Sequence, residues 1–134
     1  MTEFSHTRVL QKDELNKVLT ARDDTFLSEY EIHAGEFTLD EGPFDHYERS
    51  IEVSTCSDGF EVTESFRYTI ASPCWQGLLH FPIKKALKKR SHSGNSFWWA
   101  PPTRFDSRTS RKVSFLCVAA VVTGFLGALI GQTA

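Results

Sequence analysis

The sequence predicts an α+β protein: a small antiparallel sheet with a packed C-terminal helix, followed by a linker and a single transmembrane helix. Three observations predict it. An uncharged, largely apolar run closes the chain from Val113 to Ala134, alternating apolar and polar residues flank an Asp58-Gly59 pair, and a helix-spaced apolar stripe follows Pro73. The 134 residues suffice for one modest domain and one span. The division expected is a cytoplasmic acidic α+β domain over 1–90, a basic linker with Trp and Pro over 91–112, and the membrane helix over 113–134.

Charge is partitioned along the chain more sharply than the net −2 suggests. Residues 1–80 hold six Lys/Arg against sixteen Asp/Glu, residues 81–112 hold nine Lys/Arg against Asp106 alone, and the remainder carries no charged side chain. Cys56, Cys74 and Cys117 are odd in number and form no CxxC pair, so a disulfide framework is not expected and a reduced, cytosolic setting fits the domain. The first thirty residues hold no apolar run of the kind a secretory leader needs, which leaves targeting to the C-terminal end.

That end is long enough to span. Val113 to Ile130 is eighteen residues without a charge, and about 20 residues at ~1.5 Å rise cross the bilayer hydrocarbon. A buried helix of a soluble protein is the alternative. Lys84, Lys85, Lys88, Lys89, Arg90, Arg104, Arg108, Arg111 and Lys112 all precede the run and no basic residue follows it, so the N-terminal side is expected in the cytoplasm. Arg104, Arg108, Arg111 and Lys112 are expected at the membrane interface. Trp98 and Trp99 are expected there too, as belt residues, with packing on the domain as the alternative. Ala120, Gly124, Gly127, Ala128 and Gly131 leave one helix face flat enough for another helix to approach closely. Gln132 is polar enough for the far interface.

Within the domain, Asp13 to Ala21 has helical spacing, starting between Gln11 and Asp13. Phe26 to Asp40 is aromatic and β-branched, broken at Ala34-Gly35, and predicts one or two strands. The hairpin is the clearest element. Asp58-Gly59 suits the centre of a type I′ turn, and centring there pairs Val53 with Glu64, Ile51 with Phe66, Arg49 with Tyr68 and Tyr47 with Ile70. The other face carries Glu48, Ser50, Glu52 and Ser54, with Arg67 diagonal to Glu48 and Glu52. Arg49 and Glu64 fall on the apolar face, where an unpaired charge is costly. With Tyr68 they are candidates for the polar floor of a ligand cavity; the alternative is a wet sheet end. Trp75, Leu78, Leu79, Ile83 and Leu87 form the stripe of a helix interrupted or restarted at Pro82, its last turns crowded with lysines that suit a helix C-terminus. Packed on the sheet, it supplies the second layer of a core. Asp106, Thr109 and Ser110 are competent N-caps for the membrane helix.

No phosphate-binding glycine loop, HExxH, paired cysteines or nucleophile elbow occurs. His33, His46 and His80 are scattered; Asp40, Glu41, Asp45 and Glu48 form an acidic cluster near an expected turn, read as a solvated loop with attraction of a cation as the alternative, and Asp23-Asp24 has the same reading. No catalytic, cofactor or metal site is therefore assigned, and an enzyme is not expected. Nucleic acid is excluded as a partner by the acidity of the domain. The expected partners are the lipid bilayer and other transmembrane helices or a second copy.

The stretch Trp98-Trp99-Ala100-Pro101-Pro102-Thr103-Arg104-Phe105-Asp106-Ser107-Arg108, followed by the apolar run, resembles the lead-in to the first transmembrane helix of actinobacterial major facilitator superfamily transporters. Phe37 to Arg49 is similar to part of their extra N-terminal region, and the likeness covers roughly residues 25 to 134. It implies a transporter-like protein whose soluble domain is a regulatory or interaction module. The chain has one such run where a transporter of that superfamily has about twelve, so transport by it alone is not expected. The strands-then-helix order is also similar to the latter part of a START-like, helix-grip lipid-binding domain, although only about four strands are foreseen. That likeness implies the alternative function, an independent single-pass protein whose domain binds a lipid-like ligand.

Overall fold

The computed structural model of the chain describes residues 1–24, 26–88, 104 and 106–131. Five strands form one antiparallel sheet: β1 (Thr2–Leu10), β2 (Ser28–His33), β3 (Glu36–Glu41), β4 (Phe44–Cys56) and β5 (Gly59–Ile70). Across the sheet they run β1-β5-β4-β3-β2, so β2 to β5 make a meander and β1 pairs with its last strand. Helix α1 (Lys12–Leu19) follows β1; a 3-10 turn (Pro73–Trp75) and α2 (Gln76–Lys88) follow β5; α3 (Ser107–Gly131) is the apolar helix. This is the α+β arrangement that the hydrophobic patterning predicts.

One strand more is present than the patterning revealed. β1 pairs with β5 from Thr2 opposite Tyr68 to Leu10 opposite Phe60, and buries Phe4 and Leu10. Between those two, its inward positions are His6 and Arg8. Polar residues at inward positions blur the period-two signal on which strand recognition rests.

The β4–β5 hairpin forms, but its register differs by two residues from the one predicted. Cys56 stands opposite Gly59, which makes Ser57-Asp58 the turn, and Val53 pairs with Val62, Ile51 with Glu64, Arg49 with Phe66 and Tyr47 with Tyr68. A type I′ turn centred on Asp58-Gly59 would hold Asp58 at positive φ, and only Gly35 and Gly59 have positive φ among the described residues. Gly59, at φ 142°, is demanded by its neighbour as much as by its backbone: a Cβ there would lie 2.7 Å from the Leu10 carbonyl oxygen. Because the slip is by an even number, every side chain keeps its predicted face. Arg67 now lies directly across from Glu48, 3.4 Å away, rather than diagonal to it, and also approaches Glu3 at 3.6 Å.

Both α1 and α2 cover the same face of the sheet. Leu15 and Val18 of α1 pack with Leu10 and Val62, while Ile83, Ala86 and Leu87 of α2 join Phe4, Leu27, Phe44, Tyr47, Phe66 and Tyr68. Phe4 stacks on Phe66 with ring centroids 4.9 Å apart, adding to the area they bury. The inward face of α2 is thus Leu79, Ile83, Ala86 and Leu87. Leu78 belonged to the predicted stripe but is 75% exposed, because it stands about 100° round the helix from Leu79. Pro82 lies inside α2. The opposite face of the sheet is polar and open, with a shallow concavity between Glu3, Glu36, Glu48, Ser50, Ser65 and Arg67.

Replacing Gly59 by alanine forces both a disfavoured φ and a clash with β1, so the variant should lose about 1–3 kcal/mol. Chemical denaturation of the full chain in detergent micelles, followed by aromatic circular dichroism, measures the loss.

Candidate functional site

The residues predicted for a cavity floor, Arg49, Glu64 and Tyr68, do lie together on the covered face, and all three are buried. Arg49 and Glu64 belong to a chain of alternating charges that crosses the sheet. Arg8 of β1 donates to Glu64 Oε2 (2.8 Å); Arg49 of β4 donates to Glu64 Oε1 (3.2 Å) and to Glu29 Oε2 of β2 (2.7 Å). Glu29 also accepts the Tyr47 hydroxyl and the Arg22 backbone N–H, and the Arg49 guanidinium sits 4.2 Å from the Phe37 ring centroid on β3. All five strands therefore contribute a group to it. The hydrogen-bonding capacity of Arg49 is taken up inside the protein. Tyr68 is different: its hydroxyl is buried with no hydrogen-bond partner, and burial raises its pKa.

The C-termini of α1 and α2 each meet a buried arginine. The last carbonyls of a helix lack partners within it, and Arg49 Nη1 donates to Val18 O (3.0 Å) while Nη2 donates to Thr20 O (3.3 Å), closing α1. Arg22, which is ion-paired with Asp24, donates to Ala86 O (3.1 Å) and Leu87 O (3.4 Å), closing α2. The buried pair Glu29 and Tyr47 and the capping role of Arg22 were missed in the sequence. The available signal was a charge at an inward strand position, as at Arg49, which asks for partners from elsewhere in the chain.

The second grouping lies where the domain meets α3, and this junction is the candidate functional site. Helix α3 starts six residues before the predicted span. Asp106, one of the three predicted N-caps, accepts the Thr109 backbone N–H at 2.9 Å, and hydrogen bonds from Thr109 hold its carboxyl below the usual carboxylate range. One turn on, the Ser72 hydroxyl donates to Ser110 O at 3.4 Å, and both serines are buried. Arg111 Nε lies 3.2 Å from Asp45 Oδ1, and Arg104 reaches Asp23 at 2.8 Å and Glu41 at 4.0 Å. Two of the four predicted interface cations, Arg104 and Arg111, thus hold acidic residues of the domain: Asp23, Glu41 at the end of β3 and Asp45 at the start of β4 are their counterions rather than solvated loop charges. Arg108 and Lys112 are exposed, and neither forms an ion pair within 4 Å among the described residues, although both lie near enough to Asp106 to lower its pKa further. Trp98, Trp99 and Gln132 lie outside the described residues.

Beyond Ser114 the helix leaves the domain. Phe115 is 72% exposed, Phe125 67% and Ile130 69%, and no residue from Phe115 to Ile130 is buried. The helix from Ser107 to Ile130 is long and apolar enough to cross a membrane, with a mean hydropathy of 2.4 over its apolar part. Ala120, Gly124, Gly127 and Ala128 are exposed on it, and a Cβ at Gly124 or Gly127 would meet no atom within 4 Å. The Thr123 hydroxyl is satisfied within the helix by Ala119 O at 2.8 Å. No group of His, Cys, Asp and Glu among the described residues is placed to hold a metal ion, and Cys56, Cys74 and Cys117 are free thiols.

Two outcomes follow from the buried chain. Arg49→Met leaves Glu29 and Glu64 without their central cation and should cost about 3–5 kcal/mol in denaturation of the detergent-solubilised chain. Burial, reinforced by the Glu29 carboxylate, raises the Tyr47 pKa well above its ordinary value. The unfolded chain gives up this proton near pH 10 while the fold retains it, so the contribution is complete below about pH 10 and declines as pH rises above that. Tyr47→Phe should therefore show a shallower alkaline loss of stability than the parent across that range. Comparison with protein-family models, with curated proteins and with solved structures gives no match, and the functional reading rests on this geometry.

Proposed function

We propose that this chain is a single-pass protein of the cell membrane whose α+β domain is held against the cytoplasmic face as a regulatory or interaction module, without catalysis or transport of its own. The observation that carries it is the contrast along α3: its first two turns are bonded to the domain, and the rest exposes apolar side chains on every side. An isolated helix of that kind is far less costly in hydrocarbon than in water. The uncharged stretch from Val113 to Gly131 measures about 28 Å at ~1.5 Å per residue, close to the hydrocarbon thickness. Arg108, Arg111 and Lys112 stand at one end of it and no charged residue at the other, which supports a cytoplasmic domain.

A second reading concerns what the span meets within the bilayer. The open surface over Gly124 and Gly127 favours close approach of another helix. This agrees with the transporter-like resemblance, in which the span would be one of a larger set, and equally with a second copy of the chain.

Alkaline carbonate extraction of membranes from expressing cells should leave the protein in the pellet. A membrane-impermeant maleimide should label the domain thiols, Cys56 at the hairpin tip and whatever of Cys74 the bilayer leaves open, only once the cytoplasmic face is opened, with Cys117 remaining shielded. Release into the supernatant as unaggregated protein would overturn the anchoring, and labelling of Cys56 or Cys74 on intact cells would reverse the orientation.

A further inference from the structure

We infer that the groove between the 3-10 turn and the base of α3 binds one anionic phospholipid, its headgroup on Lys112 and Arg108 and an acyl chain along Phe115 and Leu116. The inference rests on the membrane reading above and deepens it. The groove is open, about 520 Å3 in volume, and is lined by Cys74, Arg111, Lys112, Ser114, Phe115 and Leu116. Its cationic rim and its apolar wall follow one another along the helix, in the order in which a lipid presents a headgroup and then a chain. Seated where the uncharged run begins, it stands at the depth where a bilayer changes from headgroup to hydrocarbon.

The charges select the occupant. Four cations approach this end of α3, and the domain neutralises two of them: Arg104 through Asp23 and Glu41, and Arg111 through Asp45. Arg108 and Lys112, four residues apart and therefore on one side of the helix, are exposed and form no ion pair within 4 Å among the described residues; Asp106, one carboxylate for the two, acts on them only through space. An anionic headgroup supplies that missing ion pair, whereas a zwitterionic one brings its own cation. The 3-10 turn then runs into α2, where Leu78 and Phe81 are 75% and 81% exposed and one turn apart. Exposed apolar side chains on the helix that follows the turn suit the lipid interface, and a water-soluble anion would leave them uncovered.

Native mass spectrometry of the full chain released from nanodiscs of phosphatidylcholine and phosphatidylglycerol in equal amounts tests this. The expected result is one retained phosphatidylglycerol per chain. Its occupancy should fall about tenfold in the Arg108→Gln/Lys112→Gln variant, in keeping with the attraction of anionic lipid to each juxtamembrane cation. It should also fall in Cys74→Trp, which fills the groove and leaves the charges in place. Equal retention of the two lipids, or no change in either variant, overturns the lipid site while the anchoring stands. So does a mass corresponding to two chains with no lipid, which would assign the groove to a second copy. Failure of the parent chain to enter the nanodiscs sinks the anchoring and the lipid site together.

Discussion

The burial of Arg49 is the constraint on which the rest of the structure depends. A guanidinium 2% exposed in a small domain is tolerable only if its charge and its donors are all met. Two carboxylates, two helix-terminal carbonyls and an aromatic face meet them, and these come from β2, β3, β5 and the end of α1. Elements remote in sequence are thereby obliged to converge on one side chain. Arg8 at one end and Glu29 at the other leave the row of four charges neutral. The network also selects the hairpin register. In the pairing centred on Asp58-Gly59, Glu64 would stand opposite Val53, four residues from Arg49, or about 13 Å at ~3.3 Å per residue. Both faces would still be correct, yet two buried charges would be separated.

The same arithmetic of charge operates at the junction with α3, under looser burial. The acidic domain and the basic approach to the apolar helix α3 meet through Arg104 and Arg111, on Asp23, Glu41 and Asp45. Exposed pairs such as these contribute little each. Their effect lies in geometry, together with the buried Ser72–Ser110 hydrogen bond: α3 leaves the domain at a bonded base. A domain joined in this way presents a fixed surface to whatever surrounds the helix, the groove beside Cys74 included.

Much of the architecture was legible before any coordinates, where a local signal sufficed. Helical spacing located α1 and α2, the aromatic and β-branched stretch broken at Ala34-Gly35 resolved into β2 and β3, and the charge-free run located α3. What stayed hidden depended on partners distant along the chain. β1 carries His6 and Arg8 inward because β5 and the charged row accept them, and Leu78 is excluded from the core by the angular phase at which α2 docks. At the candidate site, the cations were visible as a cluster before the span, but their division into paired and unpaired members was not.

The sequence by itself determined the α+β class, the faces of the hairpin and one helix suited to hydrocarbon, because each follows from periodicity or composition within a short window. Tertiary structure decided the register, the fifth strand and the destination of every buried charge, because an ion pair or a helix cap depends on distances between segments that no local pattern encodes. Arg49 marks the boundary: its placement on the apolar face could be read from alternation alone, whereas the partners that make that placement tolerable came only from the folded chain.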